Sequence, residues 1–136
     1  MIEVNGVVPL LQVFDMNAAL AFYRDGLGFE IASDSGEVDT PEGRFAHWCW
    51  LRLGGADLML NTAYDEGERP PARDPARQAA HHDTGLYFDC PDPDAAAADL
   101  RAKGIECEGP KLAPYGMKQL WLRDPDGYAL CFQTQA

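Results

Sequence analysis

Two stretches of this chain repeat one another 77 positions apart. Asp15-Met16-Asn17-Ala18-Ala19 matches Asp92-Pro93-Asp94-Ala95-Ala96, Arg24 matches Arg101, and with one residue deleted Gly28-Phe29-Glu30 matches Gly104-Ile105-Glu106. Divided between two copies, 136 residues leave about 65 for each, too few to bury a separate core, so the halves are expected to share one.

Each half carries the same order of local signals. In the first, Val7 to Phe14 reads as a buried strand with an irregular start at Pro9. Asp15 then caps a helix from Met16 to Leu27 that Gly28 ends. A short strand from Gly28 to Ser33 and a turn-rich stretch, Asp34 to Gly43, lead into the aromatic run Arg44 to Leu53. The pair Gly54-Gly55 then turns the chain back as an antiparallel strand over Ala56 to Thr62. In the second, strands are expected over Thr84 to Cys90, Ile105 to Glu108, Met117 to Arg123 and Tyr128 to Thr134. Asp92 caps a helix from Pro93 to Lys103 with Gly104 as its stop. The expectation is a single α+β domain over 1–136, built of two paired βαβββ modules, about 5–62 and 84–134, forming a curled mixed sheet around a cleft. Between them, residues 63–83 carry Pro70-Pro71 and Pro75 and read as a mobile connection and candidate lid, with a helical turn near Ala76 to Ala80.

Charge narrows the partners. Eleven Lys and Arg stand against 22 Asp and Glu, a net charge of −11, which repels phosphate backbones and anionic lipid surfaces, so neither nucleic acid nor membrane is expected as a partner. The acidity serves solubility or attracts a cationic ligand. No apolar run reaches the length of a membrane span and the first residues lack the pattern of a secretory signal, so a cytoplasmic location is expected. Cys49, Cys90, Cys107 and Cys131 form no C-x-x-C pair and are expected as reduced, mostly buried thiols.

Taken as a two-residue turn, Gly54-Gly55 sets Leu53 opposite Ala56, Arg52 opposite Asp57, Trp50 opposite Met59 and Trp48 opposite Asn61. Trp48, Trp50, Arg52, Asp57, Met59 and Asn61 then share one face, while Cys49, Leu51, Leu58 and Leu60 form the apolar face that a helix covers. By elimination the Trp-bearing face points into the cleft. There it lines a site for a flat aromatic or cationic compound or fills the cleft as core or dimer contact.

Two motifs carry a family resemblance over nearly the whole chain. Val13-Phe14-Asp15 followed by Ala21-Phe22-Tyr23-Arg24-Asp25-Gly26-Leu27-Gly28-Phe29, and Arg123-Asp124-Pro125-Asp126-Gly127-Tyr128, resemble the opening motif and the DPDG turn of the vicinal oxygen chelate superfamily, which includes glyoxalase I, extradiol dioxygenases and the bleomycin resistance proteins. In metal-dependent members the resemblance places ligands at positions that here hold Val8, about Met59, Gly85 and Cys131. These offer sulfur at best, so neither metal nor other cofactor is expected. The resemblance therefore implies the metal-free branch: a homodimer that binds and sequesters a small molecule in the cleft, as in antibiotic resistance. Its candidate contacts are Trp48, Trp50, Met59, Asn61 and Arg52, with Gln12 from the first strand, Tyr115 from a loop that borders the cleft in relatives, and Cys131. No catalytic residue is assigned.

Two other readings remain open. One is an enzyme of the glyoxalase or dioxygenase type, a lyase, isomerase or oxygenase, whose divalent metal recruits His47, His82 or acidic side chains in place of the missing donors, with His82 substituting for Gly85. The other is a structural dimer whose cleft is plugged by its own aromatic groups. His47 has the opposite parity from the tryptophans and reads as structural, His81-His82 as surface residues, and Cys131 as a buried thiol unless Lys118 activates it.

Overall fold

Asp15 ends one strand and starts one helix: its carboxylate accepts from the N–H groups of Asn17 and Ala18. Asp92 does the same for Ala95 with Pro93 at the first helical position. From these two caps the computed structural model, which describes all 136 residues, builds its two modules. The first contains β1 (Leu10–Val13), α1 (Met16–Leu20) continued by a π-helical turn (Ala21–Gly26), β2 (Glu30–Asp34), β3 (Val38–Thr40), β4 (Gly43–Phe45), β5 (Trp48–Leu53) and β6 (Ala56–Thr62). The connection holds α2 (Pro75–Ala80) and a 3-10 turn (His81–Asp83), and the second module holds β7 (Gly85–Asp89), α3 (Pro93–Ala102), β8 (Glu108–Leu112), β9 (Met117–Arg123) and β10 (Ala129–Gln135).

Each module forms a four-stranded mixed sheet, ordered β1-β6-β5-β2 and β7-β10-β9-β8, in which the first strand runs parallel to its neighbour and the rest are antiparallel. The β5–β6 register agrees with the expectation at all four positions: Leu53 pairs with Ala56, Arg52 with Asp57, Trp50 with Met59 and Trp48 with Asn61. Parity then buries Cys49, Leu51, Leu58 and Leu60 beneath α1, and in the second sheet Leu120, Leu122, Leu130 and Phe132 beneath α3. All of these belong to a single core of 18 buried side chains, the shared core that the short halves require.

The modules meet across a pseudo-twofold relation. Gly26 and Lys103 occupy equivalent places in the repeat, and the Lys103 ammonium donates to the Gly26 carbonyl at 2.8 Å. A side chain at Gly26 would sit 2.6 Å from the end of Ile105, which plugs the space that the glycine leaves. The residue deleted between the repeats is also explained. The first copy is longer by one, and the chain absorbs the extra residue in the π turn, where the Leu27 N–H reaches the Phe22 carbonyl five residues back at 2.9 Å.

Several expectations are corrected. The first strand is confined to four residues: Val7 is 90% exposed, and only the Pro9 carbonyl, which accepts from Met59, joins the preceding residues to the sheet. The stretch read as a turn-rich loop holds the hairpin β3–β4, whose three-residue strands are too short to show a period. The strand expected over Ile105 to Glu108 begins instead at Glu108, because Ile105 is drawn into the core at Gly26. The connection, read as mobile, carries α2 near the expected helical turn, and its side chains bond to both modules.

Candidate functional site

The shared core sets where the candidate ligand face lies. Both sheets turn their helix-covered faces inward, so the faces carrying Trp48, Trp50, Met59 and Asn61, and their counterparts in the second module, point away from the core. A concavity of about 850 Å³ does lie between the two halves, with Asp57 and its neighbours on one side and Gly85 to Cys90 on the other, whereas Trp48 and Trp50 do not line it and make no aromatic contact with the second module. Trp48, Trp50, Met59 and Asn61 are half-buried and Arg52 and Gln12 exposed. Leu10, opposite Met59, adds an exposed apolar side chain to the same face.

The polar groups on this face are tied together. Asp57 Oδ1 accepts from the Trp50 indole N–H at 3.1 Å and from Arg52 Nε at 2.8 Å. These two bonds, the indole first, hold the Asp57 carboxyl below the usual carboxylate value. The Asn61 amide lies 3.5 Å from the Gln12 side-chain oxygen, a weak contact that leaves both groups available, and donates to its neighbour's carbonyl, Thr62, at 3.2 Å. The indole of Trp50 is thereby fixed by its edge, with its ring set beside Met59.

The second module repeats the arrangement with other residues. Trp121 stands opposite Cys131, as Trp50 stands opposite Met59, and Arg123 stands opposite Ala129, as Arg52 stands opposite Asp57. Here the network is made of amides: Gln119, 6% exposed, donates to the Tyr115 hydroxyl at 2.8 Å and to Gln133 at 3.0 Å, and accepts from the Trp121 indole at 3.3 Å. Tyr115 itself is exposed and rests on this network. Cys131 is fully buried, and burial pushes its thiol up to about 11, so it stays protonated and unreactive near neutrality. Trp121, Gln119 and Gln133 escaped the sequence reading, although the two-residue parity of the last strands, aligned with the first hairpin, points to them.

The donor set at the family's metal positions does not fit a divalent cation. Val8 and Gly85 have no donor, Met59 offers a thioether and Cys131 a protonated thiol. No group of three or more His, Cys, Asp or Glu side chains is disposed to hold a metal. His47 Nδ1 is engaged with the Thr62 hydroxyl at 2.7 Å, and His82 is exposed on the connection.

The polar residues joining the modules sit at the DPDG turn. Asp124 and Asp126 are 5% and 2% exposed. Asp124 accepts from the Tyr23 hydroxyl of the first module at 2.6 Å and from the N–H groups of Asp126 and Tyr128. Asp126 Oδ1 accepts from the Phe14 N–H at 2.8 Å and from Arg73 at 3.3 Å. Burial outweighs these bonds and raises the Asp124 carboxyl to about 6; burial also raises Asp126. The connection closes over this turn: Arg73 and Gln78 donate to the Pro125 carbonyl, and the guanidiniums of Arg69 and Arg73 lie about 5 Å from the Phe14 ring. His81, expected at the surface, donates from Nδ1 to the Asp126 carbonyl at 2.7 Å and stacks on Tyr128 at 4.0 Å. A side chain at Gly127 would lie 2.6 Å from the Gln78 carbonyl, so this glycine is needed both for its positive φ and for the close approach.

The family model described as glyoxalase/bleomycin resistance protein/dioxygenase superfamily matches residues 5–132. No curated protein matches the chain. Among solved structures, TnmS3, an antibiotic-binding protein from Streptomyces sp. CB03234, is 27% identical over the full length of both chains with a TM-score of 0.67. A bleomycin-binding protein complexed with bleomycin is 22% identical over 98% of this chain and 100% of that one, with a TM-score of 0.68. A bleomycin resistance determinant encoded on transposon Tn5 is 21% identical over 97% and 98%, with a TM-score of 0.69. The last two likenesses establish the fold. No helix is long and apolar enough to cross a membrane.

Proposed function

The chain belongs to the glyoxalase/bleomycin resistance protein/dioxygenase superfamily, and on that premise we propose that it is a homodimeric binding protein that sequesters a planar aromatic or cationic small molecule, without metal and without changing it chemically. The observation that carries this reading is the open face of Trp48, Trp50 and Met59. Two large indoles, one edge-locked by Asp57, stand half-exposed on the sheet. Such a surface suits stacking and cation–π contact, each worth about 0.5–2 kcal/mol.

The same openness supports the dimer. An apolar face that one chain leaves uncovered is half of a cleft, and a second copy completes it with the Trp121 face of its other module. Residues 1–9 point the same way: Ile2, Val4 and Val7 are 86%, 69% and 90% exposed, apolar chain that association would cover. The 27% identity to an antibiotic-binding protein and the unsuitable donor set at the family's metal positions both favour binding over metal-assisted chemistry.

The test is a titration of the full chain with bleomycin and a panel of polycyclic aromatic antibiotics, followed by tryptophan emission, with each bound compound recovered and weighed by mass spectrometry. A saturable change that Trp48→Leu and Trp50→Leu weaken, with the compound recovered at unaltered mass, is expected. Recovery of a converted compound, or no saturable signal from any member of the panel with folded protein, contradicts the proposal.

A further inference from the structure

The pseudo-symmetry of the two outer faces exposes a missing group. In the first module the strand pair sets Arg52 opposite Asp57, and that carboxylate receives both the Trp50 indole N–H and Arg52 Nε. At the equivalent place in the second module Arg123 stands opposite Ala129, and the methyl group supplies no acceptor. The two donors make do with what is near: Arg123 Nη1 donates to the Gly127 carbonyl at 3.0 Å, and the Trp121 indole makes a long 3.3 Å bond to Gln119.

Where the carboxylate is missing there is space. A concavity of about 820 Å³ opens beside Trp121, Arg123 and Ala129, walled by Ile105, Cys107 and Arg101. Arg101 is held in that wall by its bonds to the carbonyls of Gly109 and Cys107. We propose that this concavity is a binding subsite for the carboxylate of a small planar acid, which takes beside Trp121 and Arg123 the place that Asp57 holds beside Trp50 and Arg52.

The chemistry fits on each side. Arg123 spends one N–H on Gly127 and keeps the others for a carboxylate, which a guanidinium binds by two parallel, charge-assisted hydrogen bonds. Trp121, Ile105 and Ala129 offer an apolar bed for a ring. Glu106 and Glu108 line the same concavity, exposed and without an ion pair; Glu108 stands opposite Trp121 on β8 but accepts no bond from its indole or from Arg123, and both carboxylates oppose any anion, a multiply charged one most. A singly charged carboxylate on an aromatic body is therefore preferred over phosphate, its cost offset by Arg123 and by the apolar bed. The concavity borders the Trp121 face that the proposed dimer sets over Trp48 and Trp50 of a second copy, so the inference rests on that reading and deepens it, and sedimentation of the chain with naphthoate separates failure of the subsite from failure of the dimer.

Isothermal titration of the full chain with 2-naphthoate tests it, with 2-naphthylmethylamine and inorganic phosphate as comparison probes. Naphthoate is expected to saturate one site per chain, the amine and phosphate to bind at least about tenfold more weakly, and Arg123→Met to weaken naphthoate by a similar factor. Ala129→Asp rebuilds the first module's arrangement within the second and is expected to abolish naphthoate binding in protein that circular dichroism shows to be folded, at some cost in stability because Ala129 is buried. Arg24→Met, a surface change in the other module, is expected to leave binding as it is. Equal binding of the amine, undiminished naphthoate affinity in folded Ala129→Asp, or no saturable heat with naphthoate up to about 10 mM overturns the proposal.

Discussion

The hairpin turn of the first module is Gly54-Gly55; that of the second is Asp124-Pro125-Asp126-Gly127. They lie at equivalent places, between the strand that carries the face tryptophan and the strand that follows. The first is open: a side chain at Gly55 would meet nothing within 4 Å. The second is buried, accepts hydrogen bonds from Phe14 and Tyr23 of the other module, and is covered by Arg73, Gln78 and His81 of the connection. A repeated fold thus assigns module-to-module bonding to one of its two copies and leaves the other turn free. The helices show the same division. Tyr23 and Leu100 are equivalent and both buried, but only the tyrosine carries a hydroxyl, and it is spent on Asp124.

The sharpest break of this asymmetry is Asp124→Ala, which strands three buried donors and is expected to lower unfolding free energy by about 2–4 kcal/mol in urea titration. A loss below about 0.5 kcal/mol there would make the two turns energetically alike. A second consequence is dependence on pH. The folded chain holds the Asp124 carboxyl at about 6 against the usual 3.8, so the folded state binds that proton more tightly than the unfolded state. The stabilisation it gives is complete below the unfolded value and is lost as pH rises through the folded one. Wild-type stability relative to Asp124→Asn is therefore expected to fall between about pH 4 and pH 7, by roughly 3 kcal/mol at most. A gap that stays flat over that range contradicts the assignment. Tyr23→Phe removes one of the three donors and is expected to cost about 1–1.5 kcal/mol. Gly55→Ala, in the free turn, is expected to stay within about 0.5 kcal/mol of wild type.

Much of this architecture is legible in the residues because it is locally encoded. The caps Asp15 and Asp92 announce both helices, and a two-residue glycine turn fixes the parity of β5 and β6, hence which side chains share a face. Parity does not say what covers a face. The shared core took the apolar sides of both sheets, and the tryptophans were left facing outward. Ile105 left the expected strand because its partner, Gly26, is 79 residues away in sequence. The residues 63–83 read as a loose connection since Pro and mixed charge show no period. Their order comes from the spacing of Arg69, Arg73 and Arg77, each four residues after the last, against Phe14 and a turn far along the chain. Likewise, the DPDG turn is recognisable as a motif, but the burial of its carboxylates depends on the other module.

The central claim is that the open Trp48 and Trp50 face of one chain is completed by a second chain. The wild-type chain carries three indoles, Trp48, Trp50 and Trp121, all on the faces that the dimer brings together. Its acrylamide quenching, measured together with sedimentation velocity across a range of chain concentrations, tests the claim most directly. The account predicts a dimer whose formation shields these indoles in step with the rise in sedimentation coefficient. A 14.9 kDa species at every concentration, or a dimer that leaves quenching unchanged, contradicts it.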